Sequence, residues 1–381
     1  MPPRFFAWSS YSILGLVLGC RAPSGGDDTS TTGSSGVGQD TSTTAPDEGI
    51  TSSSDPDSST SSSDPDSSTG EPTDPKPPAP PGLVVYITGN PEDADVDPTG
   101  PGLVLMGGGS DVDEAFSWWG NYIAGGDVVV IRTSGADGYN DYLYGFGNAD
   151  SVETMLVTAG FASDPYVSWT LRHAEAIFMA GGDQATYLEG WKGTPVEDAI
   201  HEAHGRGAVI GGTSAGLAVL GEFVYAAYND GVYSYEALED PYNFYMTMER
   251  DFLALPSLAG IITDTHLFER DRMGRLLGFL ARIHADGWSN DVTGIGVDEA
   301  TAVLVGPDGM GTVVGAGHAY VVQADHAPTV CQPGEPLEYP GLVYHALSAG
   351  NTLAFPGAAA AGPGDPIAAS GGVTIPSDPY P

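Results

Sequence analysis

The chain is poor in basic residues. Across 381 residues Lys and Arg number 12 against 50 Asp and Glu, a formal net charge of −38. Such an excess repels a phosphate backbone, so a nucleic-acid partner is excluded as the main business of the protein. Cysteine is almost missing as well, with Cys20 and Cys331 alone. A disulfide framework cannot be built from them, and a cysteine nucleophile is a poor reading of Cys331, which lies in the Pro/Gly-rich stretch PTVCQPGEP with no histidine pattern nearby. Cys331 is a poor metal ligand for the same reason, and the chemistry read below needs no metal and no organic cofactor.

Long apolar runs are also lacking. The run Ile13–Leu18 is too short to span a bilayer, but with Arg4 before it and Gly19-Cys20 after it the layout is that of a secretory signal. Val17-Leu18-Gly19-Cys20 resembles a bacterial lipobox, which makes Cys20 a candidate for lipidation and residues 1–20 a lipoprotein-type signal. An ordinary signal peptide with a chance cysteine is the plainer alternative. The expectation is an exported protein, held at the cell surface or in the periplasm by a lipid on Cys20, or otherwise secreted. Between Ala22 and Pro81 apolar residues nearly vanish, and the nonapeptide SSSDPDSST stands twice in tandem, at Ser52–Thr60 and Ser61–Thr69. A segment of that composition cannot offset the entropy of ordering, so residues 21–82 read as a disordered acidic tether.

What is present begins near Leu83. Apolar runs LVVYI, LVLMGGG, VVVIRTS, AIFMAGG and AVIGG read as strands, and they alternate with helical patterns. DVDEAFSWWGNYIAGG, SVETMLVTAG, SDPYVSWTLRHAE and PVEDAIHEAHGRG are read as helical, the last opened near Pro195 and closed by Gly205 and Gly207. Fully apolar strands alternating with helices predict an α/β fold with a mostly parallel sheet flanked by helices. Ligands of such sheets sit at the carboxyl ends of strands, where three runs end in Gly107–Gly109, Gly181-Gly182 and Gly211-Gly212. From Gly294 to Asp325 period-two runs broken by Pro-Asp-Gly and Gly-Ala-Gly predict antiparallel hairpins on the sheet edge. Residues 83–356 are one expected domain, and the Ala/Gly/Pro-rich tail 357–381 carries no assignment.

The chemistry-bearing motif is Gly212-Thr213-Ser214-Ala215-Gly216, a G-x-S-x-G between a strand and the helix-like LAVLGEF. In a chain with Gly 54 such a pattern arises by chance, and a tight turn explains it; its strand–helix setting favours Ser214 as a nucleophile. Among eight histidines, His266 closes the apolar strand AGIITDTH, the place for a catalytic base, whereas His173, His201 and His204 read as core or solvated residues. Arg270, Arg272, Arg275 and Arg282 crowd one helical stretch after it. A solvated basic face in ion pairs explains Arg282 best, and for Arg270 and Arg272 carboxylate recognition is a fair alternative. Gly182 and Ala215 could offer N–H groups to an oxyanion, and Gln184 could contact substrate, although GGDQ alone is explained equally well by a turn and helix cap.

LVLMGGG, FMAGGDQ, GGTSAG, IITDTHLFERDRMGRLL and GIGVDEATA, in this order over roughly Leu103–Tyr320, together resemble the cyanophycinases and aspartyl dipeptidases, serine peptidases of family S51 with a glutamine-amidotransferase-like fold. The resemblance implies Ser214 as nucleophile, His266 as base and an acidic third member. Glu236 in SYEALEDPYN is the expected acid, with Glu299 the competing carboxylate and expected instead to bind substrate. Gln184, Asp264, Arg270 and Arg272 would line the pocket. The implied substrate is a peptide or polymer with β-aspartyl or aspartyl linkages, cyanophycin first among them; a homodimer is left open. The chain departs from the family where Thr265 replaces a glutamine and where Glu269 stands at a commonly small position, an acidic group that favours a cationic part of the substrate. The rival readings are an esterase built on the same serine, a binding lipoprotein that keeps the fold without catalysis, and, last, an amidotransferase-like module.

Overall fold

The computed structural model describes residues 74–381; the expected signal segment, Cys20 and nearly all of the tether lie outside them. In chain order the first half runs β1 (Val85–Gly89), β2 (Gly102–Met106), α1 (Asp113–Trp119), β3 (Asp127–Arg132), α2 (Asn140–Tyr144), β4 (Ser151–Leu156), α3 (Pro165–His173), β5 (Ala176–Met179), α4 (Gln184–Trp191), α5 (Pro195–Arg206), β6 (Val209–Thr213) and α6 (Ala215–Ala218). The second half runs β7 (Phe223–Tyr225), α7 (Ser234–Glu239), β8 (Met248–Arg250), β9 (Ile261–Thr265), α8 (Met273–Ala285), β10 (Val292–Val297), β11 (Thr301–Val305), β12 (Met310–Gly315), β13 (Ala319–Ala324), β14 (Tyr339–Leu347), β15 (Thr352–Ala354), β16 (Ala359–Ala360), β17 (Asp365–Ser370) and β18 (Val373–Ile375).

These strands build two sheets. The first has the order β1-β4-β3-β5-β6-β2-β11-β12-β15-β16. Its centre, from β4 to β2, is parallel, and both flanks are antiparallel. Alternate residues of each central strand point to opposite faces. Leu103, Leu105, Val129, Ile131, Ile177 and Ile210 share one core with α3, α4 and α5. Val104, Met106, Val128, Val130 and Phe178 share another with Phe116 and Trp119 of α1. Burial on both faces explains why these strands read as unbroken apolar runs. The α/β class with a parallel N-terminal sheet and antiparallel strands toward the C-terminus holds.

The second sheet, β18-β17-β14-β13-β10-β9-β7-β8, takes up strands that the sequence suggested as edge hairpins. One of its faces, with Ile261, Ile295, Val297 and Val321, joins the core of the first sheet, while Ile262, Val292, Tyr320 and Val322 pack on α7 and α8. The chain leaves the second sheet after β10 and enters the first at β11. That crossing places Glu299 between them.

Some local readings change. SVETMLVTAG, expected helical, supplies strand β4, because Ser151–Leu156 pairs with β1 on one side and β3 on the other. LAVLGEF forms no longer helix: α6 is a single turn, after which β7 begins. The α5 reading stands, with Thr194 capping, Pro195 in the first turn and Gly207 at φ 108° ending the helix. The tail 357–381 is not separate, since β16 extends the first sheet and β17 and β18 the second. The last stretch of the expected tether, residues 74–82, lies on the domain. There Lys76 Nζ meets the buried Glu153 at 2.8 Å above the rings of Tyr166 and Trp169, and Trp169 Nε1 donates to Asp74 O at 2.9 Å. Among the described residues no helix is long and apolar enough to cross a membrane.

Candidate active site

The turn after β6 is as tight as its glycines demand. A Cβ on Gly212 would lie 2.4 Å from the carbonyl carbon of Gly216, and one on Gly216 would lie 2.0 Å from Met179 O. Neither position tolerates a side chain. Between them Ser214 is forced to φ 53°, ψ −116°, a sparsely populated conformation that over-determined surroundings must hold. Its backbone N–H donates to Met106 O at the end of β2 (3.2 Å).

His266 follows β9, also at positive φ (50°), and its N–H donates to Gly107 O at 3.0 Å. Its Nε2 stands 2.8 Å from Ser214 Oγ, and its Nδ1 stands 2.6 Å from Glu299 Oε1. His266 is 4% exposed. Burial pushes its pKa down, Arg270 and Arg272 push in the same direction, and the bond to Glu299 pulls back up. A neutral ring with Nδ1–H donated to Glu299 leaves the Nε2 lone pair facing the serine hydroxyl.

Gly107–Gly109 reads in the sequence only as a strand end, yet it lies against both His266 and Glu299. A Cβ on Gly108 would lie 2.4 Å from His266 Cε1, and one on Gly109 would lie 2.7 Å from Glu299 Oε2. The carbonyl of Gly108 accepts the N–H of Ala300 at 2.9 Å, which fixes the turn behind Glu299. Side-chain-free backbone is thus what lets imidazole and carboxylate approach; the signal was the unbroken glycine triplet.

The geometry puts Glu299, not Glu236, beside the imidazole. Glu236 sits at the third position of α7 and accepts the N–H of Tyr233 at 2.9 Å, closing the helix cap, so its carboxylate is committed away from His266. Glu299, expected in substrate contact, is the carboxylate on the imidazole. Asp264 also departs from expectation. It is 2% exposed and holds Arg275 in a two-pronged pair, Nε to Oδ2 at 2.8 Å, so no substrate reaches it. Arg275 correspondingly leaves the solvated basic face and lies buried 5.1 Å from the Tyr225 ring centre. Arg282 forms the ion pair expected of it, with Asp286 at 2.9 Å, but half-buried over the Tyr242 ring and not on a solvated face.

The other expected pocket residues do meet. A cleft of about 550 Å³ is lined by Gly182, Gln184, Arg270 and Arg272, with Glu189 and Asp230 also on its wall. Arg272 donates to Thr265 O at 2.8 Å and Oγ1 at 3.1 Å, and burial beside Arg275 pushes its pKa down to about 10. Ala215 opens α6, where the first N–H groups of a helix have no partner within it. With one turn of helix the macrodipole is small, so any anion stabilisation there comes from individual N–H groups. Gly181, adjacent to Gly182, faces the serine: a Cβ there would lie 3.5 Å from Ser214 Cβ, in ordinary van der Waals contact. Among the described residues no cluster of three or more His, Cys, Asp and Glu could hold a metal. The Cys331 thiol is pushed up to about 12 by burial.

Residues 151–244 match the model of peptidase family S51. The chain resembles that family. The S51 stretch includes Ser214 and Gln184 and ends before His266. The cyanophycinase of Nostoc sp. is 31% identical over 190 residues, 49% of this chain and 58% of the relative. That of Trichormus variabilis is 31% identical over 187 residues, 48% and 57%, and that of Geminocystis herdmanii 32% over 183, 46% and 61%. The chain therefore matches a little over half the length of these curated relatives. A crystal structure of a peptidase from an acI-B1 actinobacterium superposes with a TM-score of 0.45 at 17% identity, over 68% of this chain and 99% of that one.

Proposed function

We propose that the chain is an exported serine peptidase that hydrolyses β-aspartyl or aspartyl-linked peptides, with cyanophycin, giving β-aspartyl-arginine, as the favoured substrate. The observation that carries the reading is the row Ser214 Oγ–His266 Nε2–Glu299 Oε1 at 2.8 and 2.6 Å, with the imidazole held neutral. Ser214 attacks the scissile carbonyl carbon and His266 takes its proton. The N–H groups of Ala215 and Gly182 hold the oxyanion. As the C–N bond breaks, His266 gives the proton to the leaving amine. Water then enters, its proton passing to His266 as its oxygen attacks the serine ester, and the serine regains its hydrogen from the imidazolium. Glu299 orients the ring and stabilises its charged form.

The cleft wall supports the substrate class. Arg270 and Arg272 suit a carboxylate of the substrate, and Glu189 and Asp230 suit a cationic side chain. Similarity to the cyanophycinases points the same way. Export and lipid attachment at Cys20 rest on the sequence of residues 1–20, and the acidic repeats after it suit a spacer that carries the domain to a polymeric substrate.

The test incubates the purified protein and Ser214→Ala with cyanophycin granules and with α- and β-linked aspartyl peptides, products being read by mass spectrometry. β-Aspartyl-arginine from wild type alone is expected, with kcat/KM rising with pH through a midpoint below that of an ordinary histidine as His266 loses its proton. Cleavage of small β-aspartyl peptides alone keeps the mechanism and moves the substrate. Turnover by Ser214→Ala ends the reading.

A further inference from the structure

Two carboxylates lie beside the His266–Glu299 pair and reach across it in opposite directions. Glu269, in the turn that carries the base, accepts the backbone N–H of Glu299 at 3.1 Å. Asp298, in the turn that carries the acid, accepts the backbone N–H of Phe268 at 2.9 Å. Each turn thus satisfies a backbone donor of the other with a side chain. A main-chain bond, Leu267 N–H to Val297 O at 3.2 Å, runs between the same two segments.

Asp298 is anchored further. Its second oxygen accepts the N–H of His318 at 2.9 Å and faces the Tyr320 hydroxyl at 3.4 Å. It is 2% exposed, a costly place for a carboxylate; these donors offset the cost in part, and burial still pushes its pKa up. Tyr320 packs edge-on against Tyr380, whose hydroxyl accepts the N–H of Met273 at 3.0 Å, just past the base-carrying turn. That turn contains no regular element from His266 to Arg272 and twice takes positive φ, at His266 and Asp271. Its own main-chain bonds, Arg270 N–H to His266 O, Asp271 N–H to Phe268 O and Arg272 N–H to Leu267 O, hold it internally, and none of them reaches the segment that carries Glu299.

We propose that Glu269 and Asp298 are positioning residues, a reciprocal clasp that sets the separation of His266 and Glu299 by tying the two turns that carry them. Neither touches the imidazole or the serine. They act through Glu299 and Phe268, and the inference rests on the peptidase reading above. The role differs from the one the sequence suggested for Glu269, a contact to a cationic substrate: a positioning carboxylate changes turnover, a substrate contact changes binding.

The experiment uses the full chain with Glu269→Ala, Glu269→Gln and Asp298→Asn. The first readout is the rate at which a fluorophosphonate modifies Ser214, which reports the activated serine whatever the natural substrate is. The second is kcat and KM on whichever aspartyl peptide the wild type cleaves. Misplacing a catalytic group by about 1 Å costs on the order of a hundredfold, so loss of one tie should slow labelling by about tenfold. Glu269→Ala is expected to do this and to lower kcat with KM within about twofold of wild type. Glu269→Gln keeps an acceptor oxygen for the Glu299 N–H and should restore most of the rate. Asp298→Asn loses an acceptor for one of two opposed N–H donors and should be slower than Glu269→Ala. Glu269 is exposed, so its variants keep the wild-type urea midpoint. Labelling of Glu269→Ala at the wild-type rate overturns the clasp. So does a raised KM at unchanged kcat, or a glutamine variant as slow as alanine. A wild type that takes up no phosphonate overturns the peptidase reading instead, and the clasp falls with it.

Discussion

At the scale of single residues, what decides the site is where each carboxylate spends its lone pairs. Glu236 accepts a helix-cap N–H, Asp264 is saturated by Arg275, and Glu299 alone presents an oxygen to the His266 ring. Removing the charge from Glu299 leaves Nδ1–H with a neutral partner and allows the wrong tautomer. Glu299→Gln should therefore lower kcat by about 10³–10⁴-fold. Glu236→Gln keeps an oxygen for the Tyr233 N–H and should leave kcat within about twofold and cost less than about 1 kcal/mol of stability, as at a helix cap. Parallel kinetics on both variants check the assignment; equal losses would remove Glu299 from its place.

Elements explain what a lone residue cannot. The glycine triplet after β2 is the floor on which histidine and glutamate rest. Gly108→Ala puts a methyl group 2.4 Å from His266 Cε1 at a φ of 106° that side chains rarely adopt. The expected result is loss of at least about a hundredfold in kcat, since the imidazole must move. Far-UV circular dichroism should be unchanged, and a normal kcat in Gly108→Ala would show that the ring has room to spare. That Ser214 and His266 would meet, and that the strands would be parallel, was legible in the sequence because each is written in neighbouring residues: GGTSAG, the strand before His266, the apolar runs. The acid was not, because Glu236 and Glu299 both stand near suggestive motifs and only the crossing from β10 to β11 brings one of them to the ring. Ser151–Leu156 misled for a related reason. Its short mixed run suits helix or strand, and pairing to β1 and β3 settles it. Asp264 and Arg275 were misread because their mutual burial depends on α8 folding back over β9.

For the whole molecule the question is how so acidic a chain keeps its fold. Glu175 is buried just before β5, a central strand of the first sheet; it accepts the N–H of Asp127 at 2.7 Å and pairs with Arg206 at 3.0 Å, yet burial outweighs both partners and pushes its pKa up to about 7. A carboxyl raised from an ordinary value near 4.5 stabilises the fold fully below that value. The contribution fades as pH rises through about 7. Wild type should therefore lose on the order of 2 kcal/mol from this group between acid and mildly alkaline solution. Glu175→Gln should not lose it. Urea titrations at both ends of that range check the difference, and an equal pH dependence in the two proteins would refute it.

The crossing between the sheets also has a consequence for biosynthesis. As the polypeptide emerges, the serine and the strand that holds it are made first, and the histidine follows on a sheet that does not yet exist. The glutamate comes later still, and the strand after it must travel back to close the first sheet. A site assembled in this order is incomplete for most of its own translation: a nascent chain stalled before Glu299 has a serine and an imidazole but no carboxylate to hold the ring. Under the exported-peptidase proposal, late completion of this kind keeps the site inactive while the chain is still being made.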